Sequence, residues 1–213
     1  TLQDSDPDNL ALRTKSLQRM VEQAERMQRL VEDLLMLSRL EDPKHQLAES
    51  EVDVPALVHS IIQDAEALSA GRHVISADVV NLHVAGNADE LRSAFANLLT
   101  NAVRYTPAGG AIHVSWKHEE EGLAYRVRDS GEGISPEHIA RLTERFYRVD
   151  KGRSRNNLIG GGGTGLGLSI VKHVMLRHGG RLDIKSEPGA GSTFSCLLPD
   201  SRQIGRPSDR SVR

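Results

Sequence analysis

The sequence predicts an α+β protein: a two-layer α/β sandwich with a mixed sheet, preceded by one long helix. Three observations support this prediction. Residues 9–41 repeat apolar side chains every seven positions, which is typical of a long bundle helix. From residue 51 to 199, helical and strand-like segments follow one another without strict alternation, which favours a two-layer sandwich. A glycine-rich segment, 160–167, then opens a further helix.

The long helix is predicted to run from Asn9 to Glu41, where Asp42-Pro43 ends it. Two rows of apolar side chains form a seam along it: Leu10, Leu17, Ala24, Val31, Met20, Met27 and Leu34. Such a seam, sustained over about four heptads, indicates a helical bundle. An interdomain strut and a packed surface helix are alternatives that the pattern leaves open. Residues 1–48 are assigned to this region and its linker.

The second predicted unit, residues 49–200, contains the sandwich. Its predicted elements are a strand at 52–54, a helix at 56–68, strands at 72–80 and 82–84, a helix at 88–105, strands at 111–117 and 123–128, helices at 137–142 and 166–177, and strands at 181–186 and 192–198. Asn87 and Ser135 are expected to cap the helices that follow them. Residues 201–213 have too little apolar content to pack and are predicted to be a disordered tail.

The composition argues against several classes of protein. The chain has 213 residues, of which 38% are hydrophobic and 26% charged, an ordinary balance for a soluble domain. A formal net charge of −2 argues against a nucleic-acid-binding protein. No apolar run approaches the roughly 20 residues of a membrane span, so no membrane contact is expected of this chain itself. The single cysteine, Cys196, lies in an apolar run and is expected to be an inert buried thiol in a reducing compartment.

Six glycines fall between residues 160 and 167, directly before an apolar helical pattern. Glycine lets backbone amides approach a ligand without a Cβ between them, and the start of a helix offers unpaired N–H groups. With the basic, polar segment 148–157 as a lid, the pattern suits a polyphosphate. A flexible linker before an ordinary helix is the alternative. Neither the dinucleotide fingerprint nor the Walker loop fits, because no buried strand precedes the glycines and no Gly-Lys-Ser or Gly-Lys-Thr occurs.

Two asparagines, Asn97 and Asn101, lie four residues apart on a predicted helix, so their amides share one face. An amide oxygen can bind Mg²⁺, which takes oxygen ligands beside nucleotide phosphates. Hydrogen bonding between helices is the alternative reading of this pair.

A carboxylate, Asp129, follows an alternating strand and precedes Gly131 and Gly133. In this position it can accept a hydrogen bond from a ligand amine while the glycine backbone bends around a flat ring. An ordinary Asp-Gly turn is the alternative and, as a local pattern, the commoner case. Further along the chain, Arg148 could reach a phosphate group.

Four segments in this order resemble the ATP-binding domain of sensor histidine kinases. They are 97–107 (Asn-Leu-Leu-Thr-Asn-Ala-Val-Arg-Tyr-Thr-Pro), 129–133 (Asp-Ser-Gly-Glu-Gly), 145–150 (Arg-Phe-Tyr-Arg-Val-Asp) and 163–168 (Gly-Thr-Gly-Leu-Gly-Leu). They match the family's asparagine box, first glycine box, phenylalanine box and second glycine box. Residues 34–41 also resemble the end of the family's dimerisation hairpin, and 141–151 are especially similar to phosphate-regulon sensor kinases.

The resemblance implies a Bergerat (GHKL) fold, with helices on one face of the sheet and ATP between the helices and the lid. It implies that Asn101 holds Mg²⁺ and that Asp129 binds the adenine amino group, with Gly131 and Gly133 shaping the pocket. The other ATP-binding residues that it implies are Asn97, Arg104, Tyr105, Arg148, Gly163, Thr164, Gly165, Leu166, Gly167 and Leu168.

The implied activity is that of a protein-histidine kinase, which transfers the γ-phosphoryl group of ATP to a histidine of its dimerisation domain, for relay to an aspartate of a response regulator. The expected partners are therefore a response regulator and the dimerisation helix hairpin of the same kinase, a homodimer. The expected location is cytoplasmic, with the parent kinase anchored in the membrane. No histidine here fits the family's phosphoacceptor box, His-Glu/Asp-x-x-x-Pro: none of His45, His59 and His138 is followed by the acidic residue and the proline. The chain is therefore expected to be a kinase fragment without its acceptor.

The sequence leaves two other functions open. Gyrase-like and chaperone-like ATPases share the fold, but they place a glutamate four residues before the metal-binding asparagine, as base for a water. Asn97 occupies that position here and cannot take a proton, which favours phosphoryl transfer over hydrolysis. A nucleotide-sensing interaction module is the non-enzymatic alternative, kept open by the absent acceptor histidine.

Overall fold

The computed structural model describes residues 7–42, 47–149 and 163–205. In chain order the elements are α1 (Pro7–Glu41), β1 (Ser50–Val52), α2 (Val54–Ser69), β2 (Val74–Val79), β3 (His83–Gly86), α3 (Ala88–Tyr105), β4 (Ala111–Glu119), β5 (Gly122–Asp129), α4 (Pro136–Ile139), α5 (Gly167–Arg177), β6 (Arg181–Glu187), β7 (Gly191–Leu198), a 3-10 turn (Asp200–Arg202) and β8 (Gln203–Ile204). Each predicted helix and strand is present, with ends that lie within a few residues of those expected.

Five strands form the main sheet, in the order β2-β4-β5-β7-β6. β2 runs parallel to β4, and the other neighbouring strands are antiparallel, so the sheet is mixed as predicted. In the central strands the register places Tyr125 of β5 between Trp116 of β4 and Cys196 of β7. All three side chains are fully buried. Burial also raises the pKa of the Cys196 thiol far above its usual value, in keeping with the inert cysteine that was expected.

Helix α3 is the central helix of the layer that covers the sheet, and α2 and α5 pack beside it. Its inward side chains are those predicted: Leu91, Phe95, Leu98, Leu99 and Ala102. The ring of Phe95 stacks on Tyr125 of β5 with 4.1 Å between centroids. Asn87 caps the helix by accepting a hydrogen bond from the N–H of Glu90 (3.0 Å). These contacts fix the position of α3 relative to β5.

A second, three-stranded sheet, β1-β3-β8, corrects one sequence prediction. Its edge strand β8 falls within residues 201–213, which were expected to be a disordered tail, so that expectation was wrong for residues 201–204. Arg202 accounts for the order, because it donates a hydrogen bond to the carbonyl oxygen of His178 (3.0 Å) and pairs with Glu49. Residues 206–213 lie outside the described residues.

The short helix α4 is the second correction. It ends at Ile139 rather than at residue 142, and turns follow it. Ser135 occupies the expected capping position, but its side chain makes no capping hydrogen bond within the described part of the chain. Pro136 occupies the first helical position, where its ring presets the helical φ angle and favours the start of the helix.

Helix α1 packs on the sandwich through its last turns. Leu37 and Leu40 are buried in the common core, and α1 contacts α5. The predicted bundle seam points elsewhere, because Leu17, Met20 and Met27 each expose more than 60% of their surface. The helix therefore has two apolar faces, one against this sandwich and one exposed. Among the described helices, none combines the length and apolar content that crossing a membrane requires.

The Phe95–Tyr125 stack predicts a large loss of stability for Phe95→Ala. Because Phe95 is fully buried, its removal leaves a cavity between α3 and the sheet, and we expect the free energy of unfolding to fall by about 3–5 kcal/mol. Urea denaturation followed by the fluorescence of Trp116 measures this change. Val74→Ala, at a side chain that is 67% exposed, is the control and should change the free energy by less than about 0.5 kcal/mol. Equal losses in the two variants would contradict the packing described.

Candidate functional site

One cavity of about 530 Å³ opens between α1, α3, the end of β5 and the start of α5. It brings together most of the residues that the sequence predicted as a site: Asn97, Asn101, Arg104, Tyr105, Asp129, Gly133, Arg148, Gly163, Thr164, Gly165, Gly167 and Leu168. The other two predicted residues, Gly131 and Leu166, do not line the cavity. Gly131 lies behind Asp129, and Leu166 is fully buried in the core.

The carboxylate of Asp129 lines the cavity at the end of β5. The residue is only 7% exposed, and its Oδ1 accepts a hydrogen bond from the N–H of Gly131 (2.8 Å). Burial raises the pKa of the Asp129 carboxyl, and the N–H groups of Gly131 and Ser192 offset part of that rise. Apolar side chains line the same cavity: Ala96, Ile134, Leu142, Leu168 and Phe194. A flat ring with one amine donor suits a cavity that offers apolar walls and a buried acceptor.

The turn after Asp129 requires glycine at two positions. Gly133 has φ +70°, and a Cβ there would lie 1.9 Å from the carbonyl oxygen of Glu187. A Cβ at Gly131 would lie 2.8 Å from Asp129 Oδ1 and 2.9 Å from the carbonyl oxygen of Tyr105. Any larger side chain would therefore push the loop away from the carboxylate.

The two asparagines of α3 lie on the cavity wall in different surroundings. Asn97 donates a hydrogen bond from Nδ2 to the carbonyl oxygen of Ser93 (2.9 Å). Gly167 lies so close to it that an added Cβ would be 2.5 Å from Asn97 Oδ1. One turn further along, the side chain of Asn101 makes no hydrogen bond to any residue within the described ranges. Its amide oxygen is thus an available ligand on the cavity wall.

Positive charge lies beside the glycine segment. Burial lowers the pKa of the Arg104 guanidinium, and the nearby charge of Arg29 lowers it further. Arg104 Nη1 is 3.4 Å from where a Cβ of Gly163 would stand, so the cation and the glycine backbone are neighbours. Arg148 also lines the cavity. The remainder of the predicted lid, residues 150–162, lies outside the described residues.

The glycine segment is held against the phenylalanine box through its backbone. The N–H of Phe146 donates to the carbonyl oxygen of Gly165 (2.8 Å), and a Cβ at Gly165 would lie 2.8 Å from the Cα of Phe146. The hydroxyl of Thr164 accepts from the N–H of Leu166 (3.2 Å), immediately before α5 begins. No side chain of the described residues caps α5, whose N-cap is Leu166, so within this part of the chain its first N–H groups are available as donors.

Four lining residues come from α1, and the sequence prediction missed them: Arg26, Arg29, Glu32 and Asp33. Thr164 donates a hydrogen bond to Asp33 Oδ2 (2.7 Å). A signal for this contact existed, because Arg26, Asp33, Leu37 and Leu40 recur at helical spacing as a stripe beside the bundle seam. Further lining residues that were not predicted are Ser93, Thr100, Glu132, Tyr147, Val149 and Ser192.

Comparison with known proteins identifies similar chains. Residues 86–202 match the family described as histidine kinase-, DNA gyrase B-, and HSP90-like ATPase. The chain is 52% identical over 184 residues to the phosphate regulon sensor protein PhoR of Pseudomonas aeruginosa, which covers 85% of this chain and 41% of that protein. It is 38% identical over 189 residues to PhoR of Haemophilus influenzae, covering 88% of this chain and 43% of that protein. The chain thus spans about four tenths of the length of these curated relatives.

A solved structure shares the architecture. The mycobacterial sensor histidine kinase MprB superposes with a TM-score of 0.62 at 27% identity, over 71% of this chain and 97% of the MprB chain. The two structures therefore have the two-layer sandwich in common.

The steric requirement at Gly133 predicts a matched pair of variants. Gly109 also has a positive φ (+84°) but has no atom within 4 Å of an added Cβ, so Gly109→Ala isolates the backbone strain. We expect Gly109→Ala to cost about 1–2 kcal/mol and Gly133→Ala about 2–5 kcal/mol, because the overlap with Glu187 adds to the strain. Urea denaturation measures both values. A smaller loss for Gly133→Ala than for Gly109→Ala would contradict the close approach.

Proposed function

The chain belongs to the sensor histidine kinases, in the family of histidine kinase-, DNA gyrase B-, and HSP90-like ATPases, and on that premise we propose that it binds ATP with Mg²⁺ and transfers the γ-phosphoryl group to a histidine. The acceptor is a histidine on a dimerisation helix hairpin, and the phosphoryl group passes from it to an aspartate of a response regulator. Residues 49–200 form the ATP-binding catalytic unit in this proposal, and α1 belongs to the dimerisation region.

One observation carries the proposal: a single cavity joins a buried carboxylate, an asparagine amide with no hydrogen-bond partner among the described residues, two arginines and a glycine segment at a helix start. At one end, Asp129 accepts a hydrogen bond from the adenine amino group, and the apolar side chains of Ile134 and Phe194 contact the ring. Asp129 is already deprived of water, so a ligand donor restores part of its lost hydration.

At the other end, the phosphates bind where donors and positive charge converge. The guanidiniums of Arg104 and Arg148 and the first N–H groups of α5 supply charge-assisted hydrogen bonds to phosphate oxygens. Gly163 and Gly165 allow the backbone to approach closely, and Thr164, Gly167 and Leu168 continue the same wall. Tyr105 lines the cavity and covers the bound nucleotide.

The metal site fits the amide of Asn101. Mg²⁺ takes oxygen ligands and keeps several waters when it is held beside nucleotide phosphates, so one protein oxygen suffices. Within residues 7–42, 47–149 and 163–205, no cluster of three His, Cys, Asp or Glu side chains could hold a metal ion by itself. Asn101 would hold the ion through its amide oxygen, and the ion would offset the negative charge of the phosphates.

Asn97 favours transfer over hydrolysis. An enzyme that hydrolyses ATP requires a base that orients and deprotonates water. Asn97 occupies the position of that base in the related ATPases, and its amide cannot take a proton. Its Nδ2 donates a hydrogen bond to the carbonyl oxygen of Ser93, one turn earlier in α3, and its Oδ1 lies beside Gly167 at the start of α5.

In this proposal the histidine that accepts the phosphoryl group is not one of the residues that line the cavity. No histidine of the described residues lines it. The exposed seam of α1, which includes Met20, Met27 and Val31, offers an apolar face of the kind that a helix hairpin covers. We place the reaction in the cytoplasm, with a response regulator as the next acceptor, and the names of the two relatives suggest phosphate supply as the stimulus to test.

Label transfer from γ-labelled ATP tests this function. The chain is incubated with labelled ATP, Mg²⁺ and a separately prepared dimerisation hairpin that carries the family's acceptor histidine. We expect acid-labile label on the hairpin and none on the chain's own nine histidines. Asp129→Asn should abolish the transfer, because its amide can present a donor where the adenine amine requires an acceptor, and removal of Mg²⁺ should do the same.

Three results would contradict parts of the proposal. Label on one of the chain's own histidines would show that the acceptor has been misplaced. Steady release of phosphate without label on the hairpin would favour an ATPase. Binding of ATP with neither transfer nor hydrolysis would favour a nucleotide-sensing module.

A further inference from the structure

Helix α1 forms part of the wall of the nucleotide cavity. Four of its side chains, Arg26, Arg29, Glu32 and Asp33, line the same cavity as Arg104, Gly163 and Thr164. The inference drawn from this contact rests on the proposed function, since it concerns where the phosphates of ATP bind.

The carboxylate of Asp33 is hydrogen-bonded to the glycine segment. Its Oδ2 accepts a hydrogen bond from the Thr164 hydroxyl (2.7 Å), and that hydroxyl in turn accepts from the N–H of Leu166 (3.2 Å). A chain of hydrogen bonds thus runs from α1 to the start of α5. Donors of this kind at a helix N-terminus are those that an anion uses.

Charges of both signs surround the Asp33 carboxylate. Burial raises the pKa of the Asp33 carboxyl above its usual value, and the hydrogen bond from Thr164 offsets part of that rise. The neighbouring carboxylate of Glu32 also raises this pKa, while the guanidiniums of Arg104 and Arg29 lower it. Arg29 and Arg104 also repel one another, which lowers the pKa of Arg104. Two like charges that face one carboxylate provide a setting in which either Asp33 or a phosphate group can be the neutralising anion.

We propose that Asp33 determines the affinity of the site for phosphates: its carboxylate takes the place of a phosphate group at Thr164 and the arginines, so that docked α1 disfavours ATP while leaving the adenine end unaffected. A phosphate group that enters the cavity must displace the carboxylate or bind beside it, and two adjacent negative charges repel one another.

The anchor of α1 lies elsewhere, so the charge of Asp33 can be removed without undocking the helix. Leu37 and Leu40 are buried in the core, and Glu41 pairs with Arg145 and with His173 Nε2 (3.2 Å). Because coupling between two binding events is reciprocal, phosphates weaken the contact of Asp33 with Thr164 by the same factor by which Asp33 weakens the binding of phosphates. The position of α1 and the bound nucleotide are therefore linked.

Calorimetry on a series of ligands tests this inference. Adenosine, ADP and ATP, the last two with Mg²⁺, are titrated into the full chain and into Asp33→Asn, which keeps the size of the side chain and removes its charge. We expect Asp33→Asn to bind ATP on the order of tenfold more tightly, ADP more tightly by a smaller factor, and adenosine unchanged. Asp33→Ser should give the same order of effects.

Glu66→Gln is the matched control, since it removes one negative charge from an exposed position on α2 that does not line the cavity. It should leave all three affinities within about twofold. Unchanged ATP affinity in Asp33→Asn, or an equal change for adenosine and ATP, would overturn the inference while the proposed function stands. If the unaltered chain binds neither adenosine nor ATP, the proposed function fails and this inference fails with it.

Discussion

The stack of Phe95 on Tyr125 is the contact on which the geometry of the site depends. Phe95 lies on α3, half a turn before Asn97, and Tyr125 lies on β5, four residues before Asp129. Because both rings are fully buried, α3 cannot slide along the sheet without opening a cavity. This apolar contact thereby helps to set the distance between the two amides of α3 and the carboxylate of Asp129 on the cavity wall.

The elements of the fold could be predicted because local chemistry determines them. The start of α3 after Asn87 follows from the side chain of that residue, which caps the helix. The long α1 follows from a heptad repeat. The strand β8 could not be predicted, because its two residues carry no pattern and its order depends on Arg202 reaching His178 and Glu49. The capping role of Ser135 failed for a related reason: a favourable residue type does not ensure that the hydrogen bond forms when the helix is a single turn.

The residues of the site also divide into those that local motifs predict and those that only long-range contacts bring to the cavity. Asn101, Asp129 and Gly165 were identified because each belongs to a short ordered motif, and the structure places all three on one cavity. Gly131 does not itself line the cavity, but its N–H donates a hydrogen bond to the Asp129 carboxylate that does. The contribution of α1 was missed because Asp33 and Thr164 are far apart in the chain: the stripe beside the bundle seam marks a second packing face of α1 but does not identify Thr164 as its partner. Helix α1 has two apolar faces, one packed on the sandwich and one exposed, and its polar side chains Arg26, Arg29 and Asp33 form part of the cavity wall.

The recognition of adenine by Asp129 is the central claim, and a comparison of ATP with GTP tests it most directly. Adenine presents an amine donor where guanine presents a carbonyl acceptor, so the buried carboxylate attracts the first and repels the second. Calorimetric titration of the chain with each nucleotide and Mg²⁺ should give a dissociation constant for GTP at least about a hundredfold higher than that for ATP. Equal affinities would contradict the account.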